Sequence, residues 1–301
     1  MRSFLHILTA GVALAASASA HAAANRTFVS GKGVDSGTCA LTAPCRSFAY
    51  AILQTAAGGE IDVLDTAGYG PVTITQAVSI LNEGSIASIQ AASGNAVTVS
   101  ASSTDKVFLK GLTIEGLGTG ANGIVLNSGR SLDIANCVIR HFAQDGVHLA
   151  PTTAVAVSVT DSTISDNNTN GFNASAANGS VYATIWNTVF RNNSYNAAVA
   201  ADGAKLDVAH SSFWSNSHGV TTGGSSVAQL RDVVISGNGD GILLYDSSSV
   251  RVAHSVIAHN SIGIYINHGT VYTYGDNNIN DNYTDVGAYS GTPTLTPVAQ
   301  R

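Results

Sequence analysis

Three stretches decide the fold: SSFWSNSHGVTT at 211–222, VVISGNGDGILL at 233–244 and SVIAHNSIGIYI at 255–266 stand 22 residues apart and share two fixed marks. The first mark is a small residue that opens a short apolar run. Followed outward, it recurs as Gly123, Gly146, Gly171, Ala197, Gly219, Gly241 and Gly263, with successive differences of 23, 25, 26, 22, 22 and 22. The second mark is an asparagine three residues after a large apolar residue. It gives the pairs Ile164/Asn167, Phe190/Asn193, Phe213/Asn216, Ile235/Asn238, Ile257/Asn260 and Ile279/Asn282, with Ile139/Phe142 as a first, degenerate copy. Both marks keep one period. A period in this range means one supersecondary unit per copy, stacked on its neighbours because no single unit can bury its own apolar face.

The intervals between the marks alternate at period two and are β-branched, as in Val155-Ala-Val-Ser-Val159 and Val250-Arg-Val-Ala253. They lack the Glu, Lys and Leu runs of a helix-bearing repeat, so the units read as strands and turns only. Ile134, Val159, Ile185, Val208, Leu230, Val252 and Tyr274 form an inward column, and Cys137, Ser162, Thr188, Ser211, Val233, Ser255 and Asn277 form a stack of mostly small residues. An asparagine at the same turn of successive coils can bond the backbone and its copies above and below. A structural ladder of Asn167, Asn193, Asn216, Asn238, Asn260 and Asn282 is therefore expected.

These paired marks resemble those of right-handed parallel β-helix repeat proteins of the pectin lyase-like superfamily, and the resemblance covers about the whole chain after its leader. The implied fold is all-β: a single-stranded right-handed parallel β-helix, or solenoid, of about ten coils. A segment from Ser47 to Ala57, with Phe48, Ala51, Ile52 and Thr55 on one face and Gly58-Gly59 as its stop, reads as a short amphipathic helix. In the resembled family such a helix plugs the N-terminal end of the solenoid.

Residues 1–24 carry Arg2, an apolar run from Phe4 to Ala16 and the small residues Ala20-His-Ala22-Ala-Ala24, the pattern of a secretory signal peptide cleaved after Ala22 or Ala24. No later stretch has the length and apolarity of a transmembrane segment, so the expected location is secreted or periplasmic. The remainder, 25–301, reads as one domain. Residues 25–60 supply an edge strand, a loop and the capping helix; 122–282 form the regular coils; 290–301 form a proline-bearing tail that covers the C-terminal end. Cys39 and Cys45 lie in one glycine-rich loop of an exported chain, which favours a disulfide and leaves Cys137 unpaired in the core.

Composition limits the partners. The net charge is −6, charged residues are 11% and no Lys/Arg stripe is present, which argues against nucleic acid and anionic membranes. The same balance argues against a polyanionic substrate unless a metal bridges the two. No cofactor is evident, and calcium is the one candidate.

Chemistry on such a solenoid belongs on the outer surface. Val125, His148, Asn173, Val199, Thr221, Leu243 and Tyr265 follow the glycines at an outward position, and His148, Asn173 and Tyr265 are the candidates there for substrate binding. A second column holds Asn136, Asp161, Asn187, His210, Asp232, His254 and Asp276. Its C-terminal part, His210, Asp232, His254 and Asp276, is the candidate acid/base lane, with Asp232 and Asp276 about 9.6 Å apart at a strand spacing of about 4.8 Å. The competing explanation is that Asn, Asp and Ser suit this corner because they bond local backbone. A metal site is not identified. The Arg-x-Pro-x-x-Arg pattern of pectate lyases is absent, as are the Asn-Thr-Asp, Asp-Asp, Gly-His-Gly and Arg-Ile-Lys groups of polygalacturonases, so those activities are not implied. Two functions stay open: a lyase or hydrolase acting on carbohydrate or cell-envelope polysaccharide, and a non-catalytic surface or binding protein.

Overall fold

The computed structural model describes residues 23–299; the expected signal peptide falls almost wholly outside the described residues. Each coil gives one strand to each of three parallel sheets, here called sheets 1, 2 and 3, which hold 12, 10 and 10 strands. One coil runs Lys205–Ala209 in sheet 1, Ser212–Trp214 in sheet 2 and His218–Thr222 in sheet 3, then re-enters sheet 1 at Val227–Arg231. Every strand pairs in parallel with its copies one coil away. The result is a three-sided solenoid whose lumen is the core.

Two sharp corners in each coil explain much of the sequence pattern. Between sheets 1 and 2 the backbone turns through a single left-handed residue: Asn136, Asp161, Asn187, His210, Asp232 and His254 have φ between 46° and 53°. Between sheets 2 and 3 the same device uses Leu117, His141, Asp166, Asn192, Ser215, Gly237, His259 and Asp281. L-residues with a Cβ resist this conformation, and short polar side chains resist it least. His210, Asp232 and His254 of the proposed acid/base lane are thus selected first by backbone geometry, whereas Asp276 is out of register with them, since Gly275 with φ of 78° takes the corner in its coil.

The glycine mark has a different cause. A Cβ at Gly219 would lie 2.4 Å from the carbonyl oxygen of Gly241, and one at Gly241 would lie 2.5 Å from that of Gly263. The backbones of successive coils close on each other at this point, so bulk is excluded. Ala197 is the one coil from Gly123 to Gly263 that accommodates a methyl, fully buried.

Inside, Ile139, Ile164, Phe190, Phe213, Ile235 and Ile257 stack in one column with no exposed surface, and the rings of Phe190 and Phe213 lie parallel with centroids 5.1 Å apart. Beside this column the asparagines are linked in series. From Asn167 to Asn282 each Nδ2 and each backbone N–H donates to the Oδ1 of the next copy, at 2.9–3.3 Å. A parallel series of hydroxyls runs through the small-residue stack: Ser162, Ser211 and Ser255 accept from the backbone of Cys137, Thr188 and Val233. Buried turn amides are satisfied by these two ladders.

The N-terminal end is closed by the helix Phe48–Gln54, which buries Phe48, Ala51 and Ile52 and is capped by Ser47, whose hydroxyl accepts from the Tyr50 N–H at 3.2 Å. The helix is shorter than expected. Thr55 to Ala57 already belong to the strand Thr55–Val63, because β-branched Thr55 turns its hydroxyl to the Ala51 carbonyl and to Thr27 on the neighbouring strand. Cys39 and Cys45 are bonded and buried beside this cap, and burial pushes the free Cys137 thiol up to about 11.

Just before the regular coils, Val107 to Ile114 forms parts of two strands, Lys106–Lys110 and Leu112–Glu115, divided by a corner at Gly111 with φ of 72°. Two further expectations are corrected. The tail is no mere cover, since Leu295–Pro297 adds the last strand of sheet 1; Pro297 ends that edge strand, where its missing N–H costs no ladder bond. Tyr274 is not inward. The preceding turn is one residue shorter, so Val252 pairs with Thr273 and Tyr274 shifts to the outer face.

Candidate functional site

The outer face of sheet 1 carries two columns built by the strand register. The first reads Trp186, Ala209, Arg231 and Ala253, continued by Tyr274 one strand on; the second reads Thr184, Asp207, Gln229, Arg251 and Tyr272. Ala209 and Ala253 are short where their neighbours are long. The surface therefore dips between Trp186 and Tyr274, and a cavity of about 660 Å³ opens there, lined also by Asp207, Gln229, Arg231, Arg251, His254 and Asp276.

Its walls are fixed by contacts between coils. The Tyr182 hydroxyl donates to Asp207, whose other oxygen accepts from Gln229 Nε2 at 3.0 Å. Arg251 lies over the Tyr272 ring at 5.0 Å, and Arg231 Nη1 is 3.8 Å from Asp232. Trp186 is 45% exposed and is braced on one side by His210, edge to face with ring centroids 4.1 Å apart. A large, half-exposed aromatic ring held this firmly offers an apolar platform with little ordering cost on binding.

The four acid/base candidates do not all reach the cavity. His254 and Asp276 line the cavity; His210 and Asp232 do not. Asp276 is engaged by His254 through both oxygens, with the His254 backbone N–H donating to Oδ1 at 3.1 Å and Nε2 3.2 Å from Oδ2. His210 stands 3.8 Å from Asp232 and supports Trp186. His254 is therefore not poised equally between Asp232 and Asp276.

The three binding candidates on sheet 3 separate likewise. His148 Nδ1 and Asn173 Nδ2 both meet Asp145 Oδ2, at 2.8 and 2.9 Å, whereas Tyr265 lies five strands away, about 24 Å along the axis. Asp145 is 5% exposed, and its Oδ1 accepts from the Thr169 hydroxyl and from the backbone and side chain of Asn170. Burial works against ionisation, but the hydrogen bonds from His148, Thr169, Asn173 and Asn170 outweigh it and hold the carboxyl down at about 2. Asn196 donates on to Asn170 and Thr221 on to Asn196, so a chain of dipoles points at this carboxylate. In the sequence Asp145 and Asp240 read only as turn residues directly before their glycines; the signal of a site column was the polar residue at this same place in successive coils, Asn122, Asp145, Asn170, Asn196 before Ala197, His218 and Asp240.

A smaller hollow of about 430 Å³ at the corner of sheets 2 and 3 contains Glu115, His141 and Asp166. Its charges are matched in place. Glu115 accepts from Arg140 Nε at 2.9 Å and lies 2.8 Å from His141 Nδ1, and Asp166 accepts from Asn192 at 3.0 Å. Among the described residues no three His, Cys, Asp or Glu side chains converge as metal ligands. In the groove Asp207 and Asp276 are about three strand spacings, roughly 14 Å, apart along the axis, too far to share a calcium ion.

Comparison with known proteins agrees with the fold. The family described as "Right handed beta helix region" matches residues 152–296. Pectate lyase Pel9A superimposes with a TM-score of 0.56 at 12% identity, covering 92% of this chain and 78% of that one. The A-module of the Azotobacter vinelandii mannuronan C-5 epimerase AlgE6 gives 0.51 at 16%, covering 80% and 90%, and a rhamnogalacturonan lyase gives 0.52 at 12%, covering 82% and 72%. No curated protein matches the chain. The protein folds as a right-handed parallel β-helix. No helix among the described residues is long and apolar enough to cross a membrane.

Proposed function

We propose that this protein is an exported β-helix that binds an extended polysaccharide in the groove on sheet 1. The observation that carries the reading is the 660 Å³ cavity between Trp186 and Tyr274, with side chains that donate and accept hydrogen bonds, Gln229, Arg231, Arg251 and Asp207, along its length. Such a trough offers flat apolar faces to sugar rings and polar groups to their hydroxyls, the mixture that a ligand site needs for both area and orientation. The names of the solved structures of like fold, pectate lyase, mannuronan epimerase and rhamnogalacturonan lyase, support carbohydrate as the ligand class. The leader-like residues 1–24 and the Cys39–Cys45 disulfide support a secreted or periplasmic location.

Cleavage is the second reading, and the observation that favours it is His254, held by both oxygens of Asp276 at the cavity's edge. A histidine so fixed can take or give a proton at one place. Hydrolysis by paired carboxylates has less support: Asp207 and Asp276 stand roughly 14 Å apart, beyond the about 6.5–9.5 Å span of an inverting pair, and Asp232, about two strand spacings from Asp276, does not line the cavity. The deciding experiment incubates the purified protein with neutral and acidic polysaccharides, with and without calcium, and follows binding heat and products together. Heat without new reducing ends supports the binding protein. Ultraviolet-absorbing unsaturated products mean a lyase, new reducing ends alone mean a hydrolase, and neither heat nor products for any glycan ends the proposal.

A further inference from the structure

The charges of the groove restrict what kind of glycan it can hold. Apart from the phenol of Tyr274, five charged or titratable side chains line it: Arg231 and Arg251, Asp207 and Asp276, and His254. The two arginines and the two aspartates cancel, and Asp232 beside Arg231 tips the immediate surroundings negative. Each of these groups already has a partner. Arg231 has Asp232, Arg251 has the Tyr272 ring, Asp207 has Tyr182 and Gln229, and Asp276 has His254. The whole chain bears a net charge of −6. A polyanion approaching this face would meet no surplus of positive charge, and would have to draw Arg231 away from Asp232 to gain one.

Length is restricted as well. Trp186, Ala209, Arg231 and Ala253 pair strand to strand, and Tyr274 follows, so the two aromatic ends of the trough are four strand spacings, about 19 Å, apart. The spacing between strands is close to the rise per sugar of an extended glycan, so four spacings with a sugar at each end take about five units. The alanines leave room for the middle units, and the rings take the ends.

Resting on the reading of this groove as a glycan site, we infer that its ligand is an uncharged, extended glycan of about five sugars, lying along the solenoid axis with its terminal rings on Trp186 and Tyr274. This sets the chain apart from the acidic polymers named in its structural neighbours, with which it shares the fold alone. Glutamine, arginine and aspartate serve here as hydrogen-bonding groups to hydroxyls, and the stacking rings supply the apolar contact.

The test is calorimetry with matched length series, from dimer to hexamer, of neutral gluco-, xylo- and manno-oligosaccharides and of oligogalacturonates, each at low and high salt. At least one neutral series should bind, gaining about tenfold or more in affinity from dimer to pentamer and then levelling off. Salt should change that affinity by less than about twofold, since no counterions are released from an uncharged ligand. Trp186→Ala and Tyr274→Ala should each lower pentamer affinity by about tenfold while leaving dimer affinity nearly as it was. Preferential binding of the oligogalacturonates with a steep loss at high salt overturns this inference and leaves the glycan-binding function standing. Neutral binding that ignores chain length, or that survives both substitutions, also overturns it. No binding by any series overturns the groove's function together with this inference.

Discussion

Asn216 donates to a single oxygen of Asn238 twice, from its backbone N–H and from its side-chain Nδ2, both at 3.0 Å. Asn238 repeats the arrangement toward Asn260, and its Nδ2 also reaches the carbonyls of Phe213 and Ser236, at 3.0 and 3.2 Å. Each rung is thus a satisfied buried amide that satisfies two others. Asn238→Ala leaves several buried polar groups without partners and should cost on the order of 1–3 kcal/mol. Denaturant unfolding measures this, and an unchanged midpoint would contradict a cohesive role for the ladder.

The glycine column gives a paired test. Gly219→Ala puts a methyl 2.4 Å from the Gly241 carbonyl oxygen, a backbone atom that cannot rotate away, and should lower stability by about 1–3 kcal/mol. Ala197→Gly removes a methyl that the same column already tolerates and should cost no more than about 1 kcal/mol. Equal melting shifts for the two would show that close approach of the coils is not what excludes the side chain.

Asp145 predicts a limit of acid stability. Its folded carboxyl titrates at about 2, below the ordinary carboxylate value of about 3.9, so ionisation favours the folded state. That stability is fully present above about pH 4 and is lost as the pH falls through about 2, amounting to on the order of 2 kcal/mol. Asp145→Asn should unfold more readily at neutral pH and should lose less stability than the parent on going from pH 4 to 2. An identical acid profile for the two proteins would show that Asp145 does not contribute through its charge.

The repeat was legible because its two marks report contacts between identical positions one coil apart: Gly219 over Gly241, Asn216 over Asn238. A residue that must meet its own copy is visible in one chain as periodicity. The site was far less legible. His210, Asp232 and His254 looked like a chemical lane, but their shared property is a left-handed φ, which selects Asn, Asp and His whatever lies above them. Trp186 and Tyr274 face the same trough only because the intervening coils differ in length, by 23, 22, 22 and 21 residues from Trp186 to Ala209, Arg231, Ala253 and Tyr274. The last, short interval reverses the side of the sheet to which Tyr274 is assigned, a register change that the strand pairing reveals and the period hides.

His254 and Asp276 separate binding from turnover. If the groove only binds, His254→Ala should change glycan affinity by less than about tenfold and no product should form with the parent protein. If the pair transfers a proton, Asp276→Asn should cut the rate at least about a hundredfold while binding heat persists. Measuring affinity and product formation on the same three proteins decides between the two.

The central claim is that the trough on sheet 1 is where the ligand lies, and the most direct measurement is a crystal structure of the protein soaked with its tightest-binding oligosaccharide. The account predicts density running along the solenoid axis over Ala209 and Ala253, with sugar rings on Trp186 and Tyr274 and hydroxyls within reach of Gln229, Arg231 and Arg251. Density on sheet 3 beside His148 and Asn173, or across the hollow at Glu115 and His141, with the trough empty, would contradict it.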